Sequence, residues 1–215
     1  MKRKFYLTGI ILLGLATLFS ACSKDDDSPN DPTDNTKEVS LTTRNNVVVD
    51  QWVYFSFEKN EEVSGIDSSN FQTSTDWDIA FHSRHVRLNG GASGTGSAEV
   101  IDLGIVNWDS VLTAPSAGYV KDMFVDSILF AGVGEFGPIM IGTFLNPAFE
   151  TAFTVDLTTY PPTYTANRNV YVIKLGEDKY VKIMLTDYYN DKGESGYISF
   201  KYKFSKEGTN EFNIN

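Results

Sequence analysis

The sequence predicts an all-β domain, mainly antiparallel, with only a few short helical turns. Three observations carry that expectation. Short runs are rich in the β-branched and aromatic residues that suit a half-buried pleated surface. Tyr197-Ile198-Ser199-Phe200-Lys201-Tyr202-Lys203-Phe204 alternates apolar and polar for eight residues, the period of a strand with one wet face. Asn169 to Leu175 and Tyr180 to Thr186 are separated by Gly176-Glu177-Asp178-Lys179, which reads as a hairpin with a short polar turn.

Taken in chain order, Lys2, Arg3 and Lys4 precede an apolar stretch from Phe5 to about Phe19, then Ser20 and Ala21. That is the n-region, h-region and small-residue cut of a secretory signal, residues 1–21. The stretch is short for a membrane span, which needs ~20 apolar residues. Cys22 follows at once and is the single cysteine. A lone thiol in an exported chain has no internal disulfide partner, and the site resembles a bacterial lipoprotein lipobox with Phe19 where leucine is usual, so Cys22 is the expected lipidation site. The Ser23-Lys24-Asp25-Asp26-Asp27 run resembles the signal that sends Bacteroidetes lipoproteins to the outer face of the outer membrane. It fits a solvated acidic spacer equally well.

Residues 22–40 read as the lipidated cysteine and a flexible acidic tether, too poor in apolar residues to offset the entropy of ordering. Residues 41–215 read as a single β domain, a size that buries roughly 70% of its unfolded surface. The chain of 215 residues has a formal charge of −10; loss of residues 1–21 removes three cations and leaves 15 basic against 28 acidic side chains, or −13. Such a surface disfavours nucleic acid, whose binding is driven by lysine and arginine. It also offers no basic patch for anionic lipid, so membrane association would rest on the lipid anchor.

Within the domain, Val47-Val48-Val49 and Trp52-Val53-Tyr54-Phe55-Ser56-Phe57 predict strands. Trp77 to Val86 holds the apolar core Ile79-Ala80-Phe81. Val120 to Phe130 and Ile139 to Phe144 keep no single period and fit strands or short helical turns. Gly90 to Gly96 is loop, and Pro161-Pro162 marks an extended connection.

Motifs for catalysis are missing. The glycine loop lacks the lysine of a P-loop and the spacing of a dinucleotide fold. There is no Gly-x-Ser-x-Gly elbow, and acidic pairs could be chosen at will among 28 carboxylates. The expectation is a protein that is not an enzyme. His82 and His85 stand three apart; within one strand they would point to opposite faces and could not share a metal, so both are read as structural. Aromatics are abundant, 15 Phe, 11 Tyr and 3 Trp. Most belong to the core, and some could line a cleft for a flat apolar ligand or a sugar.

Asp76-Trp77-Asp78-Ile79-Ala80-Phe81-His82, Val86-Arg87-Leu88-Asn89-Gly90-Gly91 and the Ser93-Gly94-Thr95-Gly96 loop resemble the HmuY family of Bacteroidetes lipoproteins. Trp52 to Phe57, Pro161-Pro162-Thr163-Tyr164, Val170 to Leu175, Leu185 to Tyr188 and Gly196 to Phe200 recur in the same order. The resemblance implies a mostly antiparallel β domain that captures haem or a related porphyrin noncovalently and works beside a TonB-dependent outer-membrane receptor. It also implies two axial side chains on the iron, both His or both Met, from the segment between the glycine loop and the last hairpin.

No histidine lies after His85, so a bis-histidine pair is excluded. In methionine-type members the second ligand precedes Pro-Pro-Thr-Tyr, and Tyr160 holds that position here; tyrosinate can hold ferric haem, as in catalase. For the first ligand Met123 and Met140 stay open as candidates, Met140 in the apolar run Phe136 to Gly142, while Met184 belongs to the core. Haem is the expected cofactor. The alternative is a HmuY-fold accessory lipoprotein that has lost the clamp and binds a glycan, a peptide or a partner protein.

Overall fold

The computed structural model describes residues 35–43 and 51–212. The signal segment, Cys22, most of the tether and Val47 to Val49 lie outside them. Thirteen strands follow in order: β1 (Lys37–Thr42), β2 (Val53–Ser56), β3 (Glu61–Val63), β4 (Ile79–His82), β5 (His85–Leu88), β6 (Glu99–Asp102), β7 (Met123–Gly134), β8 (Gly137–Leu145), β9 (Phe153–Asp156), β10 (Thr163–Ala166), β11 (Val170–Gly176), β12 (Lys179–Tyr189) and β13 (Ser195–Phe204). The helical content described is two 3-10 turns, Trp108–Ser110 and Pro147–Thr151. Every strand pairing is antiparallel.

A five-stranded sheet ordered β1-β13-β12-β11-β6 faces a four-stranded sheet ordered β3-β2-β4-β5. The core lies between them. Phe55, Phe57, Phe81 and Leu88 from the smaller sheet meet Tyr171, Ile183, Ile198, Phe200 and Tyr202 from the larger one. Phe200 is stacked on Phe81 at 5.4 Å between centroids and meets Phe55 edge-on at 5.4 Å, the offset and T-shaped arrangements that ring quadrupoles favour. The alternation read in Tyr197 to Phe204 is this strand's burial pattern: Ile198, Phe200 and Tyr202 are buried.

Two outer layers complete the packing. Trp108, Val111, Ala114 and Phe212 cover Val170, Val172 and Met184 on the far side of the larger sheet. Lys182 is buried there, its Nζ donating to the carbonyls of Trp108 (2.8 Å) and Val111 (3.0 Å) and lying 4.4 Å from the Trp108 ring centroid. Those partners replace the water its charge gives up. On the far side of the smaller sheet, Trp52, Tyr54, Phe71, Trp77 and Ala80 pack with Leu145, Val125, Ile128 and Phe144.

Two readings of the sequence are corrected and one open alternative is decided. The tether ends earlier than residue 40: Lys37 to Ser40 belong to β1, which pairs with β13 from Lys37↔Tyr202 to Thr42↔Tyr197. Val39 and Leu41 pack inward, and the polar residues between them, normal for an edge strand, made the segment look like spacer. His82 and His85 do not lie in one strand. They end β4 and begin β5 and stand directly opposite each other, because the chain reverses over Ser83 and Arg84 with Ser83 at φ 53. The segments without a period are the two long strands β7 and β8. Register shifts between Val125 and Leu129 and between Phe130 and Gly132 insert extra residues into β7, and each such bulge resets the two-residue period.

The glycine loop is closed around a side chain of this protein. Asn89 donates to the carbonyls of Ser74 and Trp77, both at 2.9 Å, and accepts from the Gly96 N–H at 3.2 Å. A Cβ at Gly94 would strike the Asn89 amide, so glycine is needed there for close packing.

Candidate functional site: two hairpins from one root

β7 and β8 form a two-stranded sheet of their own, and so do β9 and β10. Both hairpins spring from one short connection. β8 ends at the buried Leu145, residues 146–152 turn through the 3-10 segment with Phe149 buried, and β9 begins at the buried Phe153. Asn146 caps that turn through its side chain, accepting from the Ala148 N–H at 3.1 Å.

The root of the first hairpin is pinned by a polar pair. Asp122, the residue before β7, accepts from the Asn146 amide at 2.9 Å and from the Leu88 N–H at 2.9 Å. Asn146 also donates to the Val120 carbonyl at 3.0 Å. Burial pushes the Asp122 carboxyl up to about 6, against the opposing pull of the Ser93 hydroxyl, the Leu88 N–H, the Asn146 amide and Arg87. A group whose folded-state pKa is raised contributes stability below its unfolded value, near 3.8, and loses it as pH rises through 6. Asp122→Asn removes that contribution. The stability of the parent relative to this variant is therefore expected to rise by about 1 kcal/mol between pH 7 and pH 5, read by urea unfolding of both chains at each pH.

The root is tied to the body a second time at the β4–β5 turn. His85 Nδ1 and Arg84 Nη1 each lie 2.8 Å from a Glu150 carboxylate oxygen. Burial opposes ionisation of Glu150, but His85 and Arg84 outweigh it and hold the carboxyl below its usual range. His82 packs against Trp52, ring centroids 5.5 Å apart. Among the described residues no group of three or more His, Cys, Asp and Glu is placed to hold a metal ion.

Beyond the root the first hairpin is apolar and uncovered. Cross-strand pairing places Phe124 beside Phe144, Phe130 beside Met140 and Val133 beside Pro138 on one face. Phe130 is 59% exposed and Met140 41%, and Phe136 at the turn is 97% exposed. Nine of the thirteen large hydrophobic side chains that are exposed among the described residues lie on this hairpin or in the turn of the second, where Leu157 and Tyr160 are found. Concentrated apolar surface of this kind marks a binding face.

The three candidate ligands are placed differently. Tyr160 sits in the β9–β10 turn and is 99% exposed. Met140 is on the apolar face of β8. Met123, 52% exposed, begins β7 opposite Leu145, five residues along from Met140 and so about 17 Å away. That odd offset also puts the two methionines on opposite faces of the ribbon, and they cannot clamp one iron together. Tyr160 and Met140 stand on separate hairpins. The residues that sequence reasoning missed are Phe124 and Phe130, whose signal is hidden by the bulges in β7, and Phe144 in β8.

A two-layer antiparallel body that raises a pair of hairpins, one with an exposed Phe and Met face and one with an exposed tyrosine at its turn, defines the class as all-β. The HmuY protein family model matches residues 49–202, and the chain belongs to the HmuY family. Solved structures share the fold. A HmuY-like protein from Bacteroides vulgatus, described as heme binding, is 23% identical with a TM-score of 0.61, covering 80% of this chain and 93% of its own. The apo HmuY analog of Tannerella forsythia is 20% identical with a TM-score of 0.61, covering 82% and 100%. A lipoprotein from Bacteroides fragilis is 21% identical with a TM-score of 0.61, covering 80% and 90%. No curated protein matches the chain significantly.

Proposed function

We propose that this protein captures haem or a related porphyrin noncovalently on the paired hairpins and passes it to an outer-membrane receptor of the TonB-dependent kind. The observation that carries this reading is the exposed face of Phe124, Phe130 and Met140, which the body leaves open. A flat apolar ring system laid on it would remove aromatic and thioether surface from water, and the area buried supplies the driving force. Tyr160 and Met140 would be the residues to hold the porphyrin iron, the first as a phenolate oxygen donor and the second as a soft thioether donor. The residues fit such a group by chemistry, since haem iron accepts both tyrosinate and methionine, and no step of catalysis is needed.

Cys22 would carry the lipid that holds the protein at the outer membrane, facing outward, with the segment ahead of Lys37 as its leash. Among the described residues no helix is long and apolar enough to cross a membrane.

Tyr160→Phe tests the axial assignment. Loss of a second-shell partner alone costs ~10–100-fold in metal affinity, so loss of the ligand is expected to lower ferric haem affinity by at least about tenfold and to alter the bound spectrum. An unchanged spectrum and affinity would remove Tyr160 from the iron. A second reading, an accessory lipoprotein that docks a peptide, glycan or partner protein on the same face, is favoured by the openness of the hairpin and the bare Phe136 at its turn. It predicts that Tyr160→Phe changes nothing.

A further inference from the structure

We propose that the groove on the outer face of the five-stranded sheet, beside β1, is a second ligand site and that it takes a single acidic sugar, a ring carrying hydroxyls and one carboxylate. The groove has a volume of about 500 Å³, within the ~300–1,000 Å³ of small-molecule clefts. None of the residues that line it belongs to the β7–β8 or β9–β10 hairpin. It is therefore independent of the haem reading.

Strand register lays out the floor. Across β1 and β13, Ser40 is paired with Ser199 and Glu38 with Lys201, and Lys201 is paired with Met184 across β13 and β12. The layer of Trp108, Val111, Ala114 and Phe212 covers Met184 on this face and reaches as far as Lys201, whose Nζ lies 4.6 Å from the Trp108 ring centroid. Beyond it stand three short hydroxyl side chains, Ser40, Ser199 and Thr186. Ser199 donates to the Ser40 hydroxyl at 3.1 Å. Short side chains leave the depth that long ones would fill, with Lys201 and Arg168 as the cationic walls.

Arg168 gives the groove its chemistry. Its backbone is left-handed, φ 59, a conformation that residues with a side chain seldom adopt and that persists where the surroundings impose it. Both neighbours impose it here. Asn167 donates its N–H to the Ala152 carbonyl at 2.9 Å and its amide to the Thr151 carbonyl at 2.8 Å, and Asn169 donates to the Asp102 carboxylate at 2.9 Å. The arginine between them is exposed, and among the described residues no carboxylate lies within ion-pair distance of Arg168 or of Lys201. In a chain with a net charge of −10, two cations so placed select an anion, and the guanidinium fork matches a carboxylate. The hydroxyl row both donates and accepts, as sugar hydroxyls do. Glu38 at the far edge accepts from a hydroxyl and repels a second carboxylate, which limits the ligand to one.

The test titrates the haem-free protein with glucuronate, with glucose (the hydroxyls without the charge) and with acetate (the charge without the hydroxyls), following the backbone amide resonances of Ser40 and Ser199 by NMR. Glucuronate is expected to shift them saturably at millimolar concentrations, with the other two at least about tenfold weaker. Arg168→Gly is expected to lower glucuronate affinity at least about tenfold and to leave the fold intact, because glycine takes a positive φ without steric cost. Lys201→Gln, which leaves the Asn167 to Asn169 loop untouched, is expected to weaken binding several-fold. No saturable shift with glucuronate, equal binding of glucose or acetate, or indifference to either substitution would overturn the proposal.

Discussion

Replacing Phe130 and Met140 together by aspartate is expected to lower haem affinity by at least about 100-fold, or roughly 3 kcal/mol, while leaving folding stability within about 1 kcal/mol of the parent. The two side chains face each other across the β7–β8 ribbon, and both are partly exposed in the protein without ligand. Covering such side chains fully is worth ~1.5–3 kcal/mol each, of which the already exposed part is what a ligand can gain. Carboxylates in their place lose that gain and must also be stripped of water under an apolar ring system. Stability is spared because neither side chain belongs to the buried clusters. The pair of measurements is a haem titration and a urea unfolding curve. Unchanged haem affinity would move the ligand off this face.

Phe200→Ala is expected to cost about 3–5 kcal/mol, the largest stability loss considered. Phe200 is buried at the centre of the interface between the two large sheets, with Phe55, Phe57, Phe81 and Tyr202 all in ring contact. The surroundings come from β2, β4 and β13, three paired strands that cannot collapse into the space without breaking their ladders, so the cavity stays open and adds to the lost transfer energy. Each ring pair lost adds ~0.5–1.5 kcal/mol at most. In a domain of this size a loss of that order lowers Tm by roughly 10 °C or more, read by thermal unfolding. A drop of only one or two degrees would mean that the two sheets are not held together through this ring cluster.

How much of this was legible in the sequence depended on whether local pattern and tertiary role agreed. In β13 they agree: Ile198, Phe200 and Tyr202 face the core, the residues between them are only half-buried on the other face, and the alternation reads directly. The β11–β12 hairpin was legible through Gly176 to Lys179, which closes as a pair with Asp178 at φ 51. β1 was half hidden, because an edge strand with polar alternate residues has the composition of a spacer. β7 and β8 were illegible as strands for two reasons. Bulges shift the period within β7, and the ribbon carries apolar residues on both faces, one packed on the body through Leu129 and Leu145 and the other left bare. An apolar face left uncovered looks like core in a sequence.

The candidate site was legible only in part. Tyr160 was marked by its place before Pro161-Pro162-Thr163-Tyr164, and the structure leaves it exposed in the β9–β10 turn. Met123 and Met140 could not be told apart until strand pairing put them on opposite faces. Arg168 gave no sign at all. A single arginine between two asparagines acquires its meaning from Ser40, Thr186 and Ser199, which come from three other strands.

Whether the paired hairpins hold haem is decided by the absorbance spectrum of the purified protein titrated with haem. A saturable shift of the Soret band at one ferric haem per chain, with a distinct spectrum after reduction, is the expected result. No Soret shift in either oxidation state would contradict it.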